Sequence, residues 1–199
     1  MKIAHAVALL AAAPAFASAS SLLVDFEHQW DYLDGSVNGY YAGGTAADGT
    51  SGANLGVSFT NVSGLSNDID FTYYSGAPSS QGVAYAYDTA YLDIAGGVNG
   101  SLTLWYSALE DVTGAVQVWS GLDGTGTLLG TFDLTANSSS GYDTWTRITL
   151  DYAGVAQSFQ FATGNYAFDN ISAVPEAGSM AMMLAGVGLL AGATRRRRG

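Results

Sequence analysis

Leu102-Thr103-Leu104-Trp105-Tyr106-Ser107 sets an apolar/polar alternation that returns in Val116-Gln117-Val118-Trp119, in Trp145-Thr146-Arg147-Ile148-Thr149-Leu150 and in Ser158-Phe159-Gln160-Phe161. A period of two sends successive side chains to opposite faces of a pleated strand, so each segment has one face to bury. Gly96-Gly97, Asn99-Gly100 and Asp123-Gly124 punctuate the pattern. Asn, Asp and Gly tolerate the positive φ of tight hairpins, and the last two pairs are read as such turns. From Ser21 to Ser172 no stretch of ten residues has helical periodicity, and no fixed-length repeat occurs. The expected fold class is all-β: a two-sheet β-sandwich or jelly roll of about ten strands.

Composition bounds the rest. The chain has 199 residues, 48% apolar, 12% aromatic and 12% charged, with no Cys. That apolar content supports a packed core, and the length allows one ordinary domain with terminal extras. The absence of Cys excludes a disulfide scaffold, a thiolate zinc site and a cysteine nucleophile. Charge is unevenly spread. Ser20 to Pro175 holds sixteen acids and one base, Arg147, leaving that stretch at −15. Nucleic acid is excluded as a partner, since it needs a basic face that displaces counterions.

The bases lie at the ends, and each end reads as an address. Residues 1–19 have the form of a signal peptide: Lys2, an apolar run from Val7 to Ala13, then Ala15-Phe16-Ala17 and Ala17-Ser18-Ala19 as small-x-small cleavage sites for signal peptidase. Residues 174–199 begin Val174-Pro175-Glu176, and Pro with an acid beside it is a helix-start signal. The 18 residues from Ala177 to Thr194 would span about 27 Å as a helix, close to a bilayer core of about 30 Å. Arg195, Arg196, Arg197 and Arg198 would stay cytoplasmic and leave the rest of the chain outside. The expected organisation is a signal peptide (1–19), a β domain (20–173) and a C-terminal segment (174–199) with a transmembrane helix and an Arg anchor.

That three-part tail resembles the PEP-CTERM sorting signal of Gram-negative bacteria, with Ala177 at the third motif position in place of Pro. The resemblance implies an inner-membrane-anchored precursor processed by an exosortase, an integral-membrane transpeptidase-like protease. It also implies a cell-surface or extracellular-matrix destination in a polysaccharide-producing, biofilm-forming host. Residues 99–172 are similar to jelly-roll domains found upstream of such tails. The matching features are the Gly-rich turn from Gly124 to Gly130, the strand led by Trp145, Phe159 and Phe161, and Phe168-Asp169-Asn170-Ile171.

Three chemistries are weighed. Hard cations take six to eight oxygens, and an acidic exported domain is rich in them. Asp25 and Glu27, two apart on the first strand, would share a face, and adjacency of first and last strands would bring Asp169 to them. The jelly-roll resemblance implies a structural calcium there; the plain alternative is solvated surface charge. Trp105, Trp119 and Trp145 alternate away from the aliphatic sets and would form a sugar-stacking platform if their strands share a sheet. The alternative is that they pack under loops. Catalysis has little to work with. His28 is the one His past the signal peptide, and the carboxylate pairs Asp68/Asp70 and Glu110/Asp111 read as a strand entry and a loop. Arg147 is read as an outer-face salt-bridge partner. Thr125-x-Thr127 and Thr144-x-Thr146 lack the regular array that ice binding requires. The expected function is a non-catalytic surface or matrix protein with extracellular polysaccharide as its partner. A carbohydrate-binding module is the alternative; an ice-binding protein and a glycoside hydrolase are remoter ones.

Overall fold

The computed structural model describes residues 21–31, 33–67 and 73–173. Among the described residues seven strands form: β1 (Leu22–Val24), β2 (Val57–Ser66), β3 (Gly82–Ala108), β4 (Val112–Trp119), β5 (Leu128–Leu134), β6 (Thr146–Phe161) and β7 (Tyr166–Ala173). No helix occurs among the described residues. The signal peptide, the sorting motif Val174, Pro175 and Glu176, the membrane segment and Arg195, Arg196, Arg197 and Arg198 lie outside them.

All pairings are antiparallel, in the order β1-β7-β3-β6-β4-β5, with β2 also on β3. The fold turns on the length of β3. Its 27 residues would reach about 90 Å if straight, over twice the width of a domain this size. β3 therefore bends, and β6 bends with it. Gly97 (φ 68°), Gly100 (φ 86°) and Gly154 (φ 98°) occupy the left-handed region at the bends, which L side chains rarely enter. The β3–β6 register slips between Asp93 and Val98 and again between Asn99 and Ser101. Before the bend β3 lies between β2 and the end of β6; beyond it, between β7 and the start of β6. One folded ladder thus yields two layers, β2-β3-β6-β4-β5 and β1-β7-β3-β6.

This corrects the strand count. Gly96-Gly97 and Asn99-Gly100 are bulges within β3, not chain reversals, and β3 and β6 each serve both layers. Asp123-Gly124, with φ of 52° and 67°, does lie in the reversal between β4 and β5. The alternation holds: Leu102, Leu104, Tyr106, Val116, Val118, Leu150, Phe159 and Phe161 are all buried. Rings join the layers. Phe161 of β6 stacks on Phe168 of β7 at 4.7 Å, and Phe26 meets Phe168 edge-on at 5.8 Å. Burying each such side chain is worth about 1.5–3 kcal/mol.

The stretch from Asp25 to Gly56 has no regular strand and packs through aromatic rings. The Trp30 indole N–H donates to the Phe26 carbonyl at 3.0 Å, and the ring contacts His28 and Tyr40. It lies so close to β2 that a Cβ on Gly64 would fall 2.3 Å from it. Gly64→Ala is therefore expected to cost about 2–3 kcal/mol in urea unfolding, as for overpacked cores. Gly96, whose Cβ would meet nothing within 4 Å, should accept Ala within about 0.5 kcal/mol. Equal stability of the two variants would remove the Trp30 contact as a constraint on the fold.

Candidate functional site

The segment 79–81, just before β3, gathers the acids expected to bind calcium. Asp169 is fully buried on β7. Its Oδ2 accepts the Ser79 N–H at 2.7 Å and its Oδ1 the Asn170 N–H at 2.7 Å. The Ser79 hydroxyl donates to the Asp25 main-chain carbonyl and lies 3.2 Å from Asn170 Oδ1. Glu27 Oε1 accepts from the Ser80 N–H, from the Ser80 hydroxyl at 3.0 Å and from the Gln81 N–H at 3.2 Å. Asp25, Glu27 and Asp169 are thus drawn to one segment, but not by the expected route. β1 ends at Val24, and Phe26 takes a left-handed φ of 52°. Asp25 and Glu27 therefore do not alternate along one strand.

Desolvation dominates Asp169 and pushes its pKa up to about 7; the Ser79 and Asn170 bonds oppose the rise, and the Asp25 charge adds to it. The same burial, with Asp25 beside it, raises Tyr41. Among the described residues no three His, Asp or Glu side chains group as a metal cage. The hard-oxygen set here comprises two carboxylates, a main-chain carbonyl and a hydroxyl. A buried carboxylate without a cationic partner is an environment that such an ion would relieve.

The three Trp do not share one surface: the strand of Trp105 pairs with the start of β6, but Trp145 is drawn under a loop and Trp119 lies in the other layer. Trp105, half-buried on the outer face of β3, pairs with Arg147 and Asp169. Trp145 packs under a loop with Tyr74, Val83 and Ala167, its N–H donating to the Tyr142 carbonyl at 3.0 Å. Trp119 ends β4 in the other layer, where its indole nitrogen is buried with no hydrogen-bond partner among the described residues. A single three-Trp platform is therefore not formed.

The remaining candidates resolve as structural groups. Among the described residues Arg147 makes no ion pair; its Nη2 lies 3.5 Å from Thr103 Oγ1. His28, partly exposed, sits against Trp30 and Tyr40, with Nε2 3.2 Å from Asp48 Oδ2. Glu110 Oε1 accepts from the Asn165 side-chain amide at 2.9 Å and its N–H at 3.4 Å, and Asp111 Oδ1 accepts the Ala136 N–H at 2.8 Å. Both acids tie loops down. Asp68 and Asp70 lie outside the described residues. In a cavity of about 370 Å³, Asp93 Oδ1 accepts the Asp123 N–H at 2.9 Å, fastening the β4–β5 loop. Burial raises the Asp93 pKa; that hydrogen bond opposes the rise and the Asp123 charge adds to it.

One concavity was not legible in the sequence. A cleft of about 660 Å³ opens where β6 turns into β7, walled by Tyr73, Tyr74, Tyr85, Tyr87, Tyr142 and Asn165. Tyr74 stacks on Tyr142 at 5.3 Å and 25°, and Tyr73 stands edge-on to Tyr142 at 5.4 Å. Tyr85 and Tyr87, two apart on β3, present rings 6.4 Å from each other. Tyr87 is 52% and Tyr73 43% exposed. Tyr142 is raised by burial first, then by the nearby Tyr73 and Glu110 charges. Tyr85-Ala86-Tyr87 and Tyr73-Tyr74 stand close in the sequence, but nothing local to either pair shows that the fold brings them together. Chemically, the cleft offers apolar ring faces with polar edges, a surface suited to ligands that have both.

No curated protein sequence matches the chain. Among solved structures, the K2 cleaved adhesin domain of Lys-gingipain aligns with TM-score 0.44 and 15% identity, covering 78% of this chain and 98% of that one. The K1 adhesin domain of Lys-gingipain from Porphyromonas gingivalis W83 gives 0.44 and 16%, covering 80% and 100%. A carbohydrate-binding module of Cellvibrio mixtus lichenase 5A, solved with cellotriose, gives 0.36 and 16%, covering 57% and 86%. Residues 173–198 match the PEP-CTERM protein-sorting motif, and through them the chain carries a signal for export and surface sorting.

Proposed function

We propose that this protein is a non-catalytic cell-surface or extracellular-matrix component, trimmed by signal peptidase and an exosortase, that holds extracellular polysaccharide in its tyrosine cleft. The cleft carries the reading: it is large, open and lined by exposed ring faces. Its position supports it. β7 starts at Tyr166 on the cleft wall and ends at Ala173, about 25 Å away. A chain tethered by its tail would hold the cleft outward.

Two measurements test the proposal. Intact mass of the protein from the native cell surface should correspond to a chain that starts at Ser18 or Ser20 and lacks the Arg run. A mass extending to Gly199 would make the tail a permanent anchor. Retention of that protein on host polysaccharide should weaken roughly tenfold for Tyr87→Ala and for Tyr73→Ala, about 1.4 kcal/mol each. Unchanged retention with an intact fold would discard the cleft as the binding site.

The second part of the proposal is a structural calcium at Asp169, Glu27 and the Asp25 carbonyl, favoured by the uncompensated burial of Asp169. The folded pKa of Asp169, about 7, lies above its ordinary value of 3.8. Between those values the native state keeps a proton that the unfolded chain releases, so stability falls as pH rises through the window. In chelator, Tm should drop from pH 4.5 to 7.5, and Asp169→Asn should flatten that slope. Calcium at 100 times its Kd should restore about 2.7 kcal/mol at pH 7.5 and much less at pH 4.5, where the proton holds the site. Identical melts in calcium and chelator at pH 7.5 would end the calcium reading.

A further inference from the structure

We infer that the tyrosine cleft selects a glycan bearing free amines over neutral or acidic ones; this rests on the glycan reading above and adds the ligand's charge. Ring geometry comes first. The Tyr73, Tyr74 and Tyr142 rings lie within 5.3–5.5 Å of one another at mixed angles; Tyr74 is buried, and Tyr73 at 43% and Tyr87 at 52% are the rings exposed to a ligand. Tyr85 and Tyr87 line the same cleft from β3. An ammonium over a ring face is drawn by the ring's quadrupole, by about 0.5–2 kcal/mol depending on its desolvation.

A carboxylate adds to this at the rim. Asn165 lines the cleft, and its side-chain amide and N–H both hold Glu110 by one oxygen, Oε1. That grip fixes the acid beside the cleft, where its charge reaches the Tyr142 phenol. A ring wall with an adjacent anchored carboxylate is complementary to a primary ammonium whose carbon skeleton has apolar faces, as an amino sugar has. A plain hexose would use the rings but bring the carboxylate no counter-charge.

Counter-charge is the third element. Arg147, the one base from Ser20 to Pro175, does not line the cleft, so among the described residues no cation there receives a uronic acid or a sulfate. The −15 of that stretch repels acidic polymers and concentrates cationic ones near the surface.

The test uses the mature surface-derived protein and four oligosaccharide probes of equal length: β-1,4-linked glucosamine, its N-acetylated counterpart, an unsubstituted β-1,4-glucan and an oligogalacturonate, titrated calorimetrically at pH 6. The glucosamine oligomer should bind at least tenfold tighter than the acetylated one, and the advantage should shrink as salt rises. Glu110→Gln should reduce the preference to within about twofold, whereas Asp151→Asn, which removes the same charge at an exposed β6 position, should leave it intact. The salt response and the acetylation difference are read on the unmodified protein, so they stand even if Glu110→Gln misfolds. Equal or tighter binding of the acetylated or unsubstituted oligomer would overturn the amine preference and leave the glycan reading standing. Displacement by polylysine as readily as by the glucosamine oligomer would reduce the effect to non-specific charge and overturn it too. Binding of none of the four probes would sink both readings.

Discussion

The architecture depends on two long strands turning a corner together. A β3–β6 ladder that ran straight would leave each face half exposed to water and could not bring Phe161 against Phe168. Left-handed glycines allow the turn at little steric cost. At Gly97 they also allow contact: a Cβ there would fall 2.4 Å from a methyl carbon of Val155, in the adjoining part of β6. Once the ladder bends, the aromatic and aliphatic faces oppose each other and the hydrophobic term stabilises the fold without a disulfide.

A second constraint is the scarcity of positive charge. With one base between Ser20 and Pro175, a carboxylate that becomes buried has almost no ion pair available to it. The chain satisfies its buried acids with main-chain N–H groups instead: Ser79 and Asn170 on Asp169, Asp123 on Asp93. Such bonds stabilise the anion but do not neutralise it, and desolvation still dominates at both positions. The two sites differ in what surrounds them. Asp93 faces the hairpin loop it fastens. Asp169 faces Asp25 and the segment carrying Ser79, with Glu27 bonded to the residues that follow, so negative charge accumulates around it.

What the sequence made legible was local. Alternation at Leu102–Tyr106 and Phe159–Phe161 reports which face is buried, since it follows directly from the pleat. Strand number was not legible, because Asn-Gly serves a reversal and a bulge equally well; Asn99-Gly100 is the second kind, and only long-range pairing with β6 decides it. The same bend separates Trp119 from Trp105, although both are outward-facing in their strands. Strand adjacency, with Leu22 opposite Ala173, puts Asp25 and Glu27 near the segment that Asp169 also meets, by way of a kink at Phe26 that no propensity signals. The tyrosine cleft assembles from four separate chain segments, so neither spacing nor periodicity could reveal it.

Adjacency of β1 and the end of β7 gives the domain a direction. Leu22 and Ala173 pair at one end of β7, so the segment expected to carry the signal peptide and the one matched to the sorting motif leave from the same edge. The cleft occupies the other end, at the turn into β7. An insertion or a ligand at the cleft can therefore vary without disturbing the β1–β7 pair, whereas a change in that pair reaches Asp169, which lies on β7 between the two. A cation bound there would stiffen β7 by tying it to the segment before β3, leaving the ring wall unchanged. With both proposals in hand, calcium would act on the stability of the scaffold and the tyrosines on recognition. The two proposed roles rest on different positions of one eight-residue strand, Asp169 within it and Tyr166 at its start.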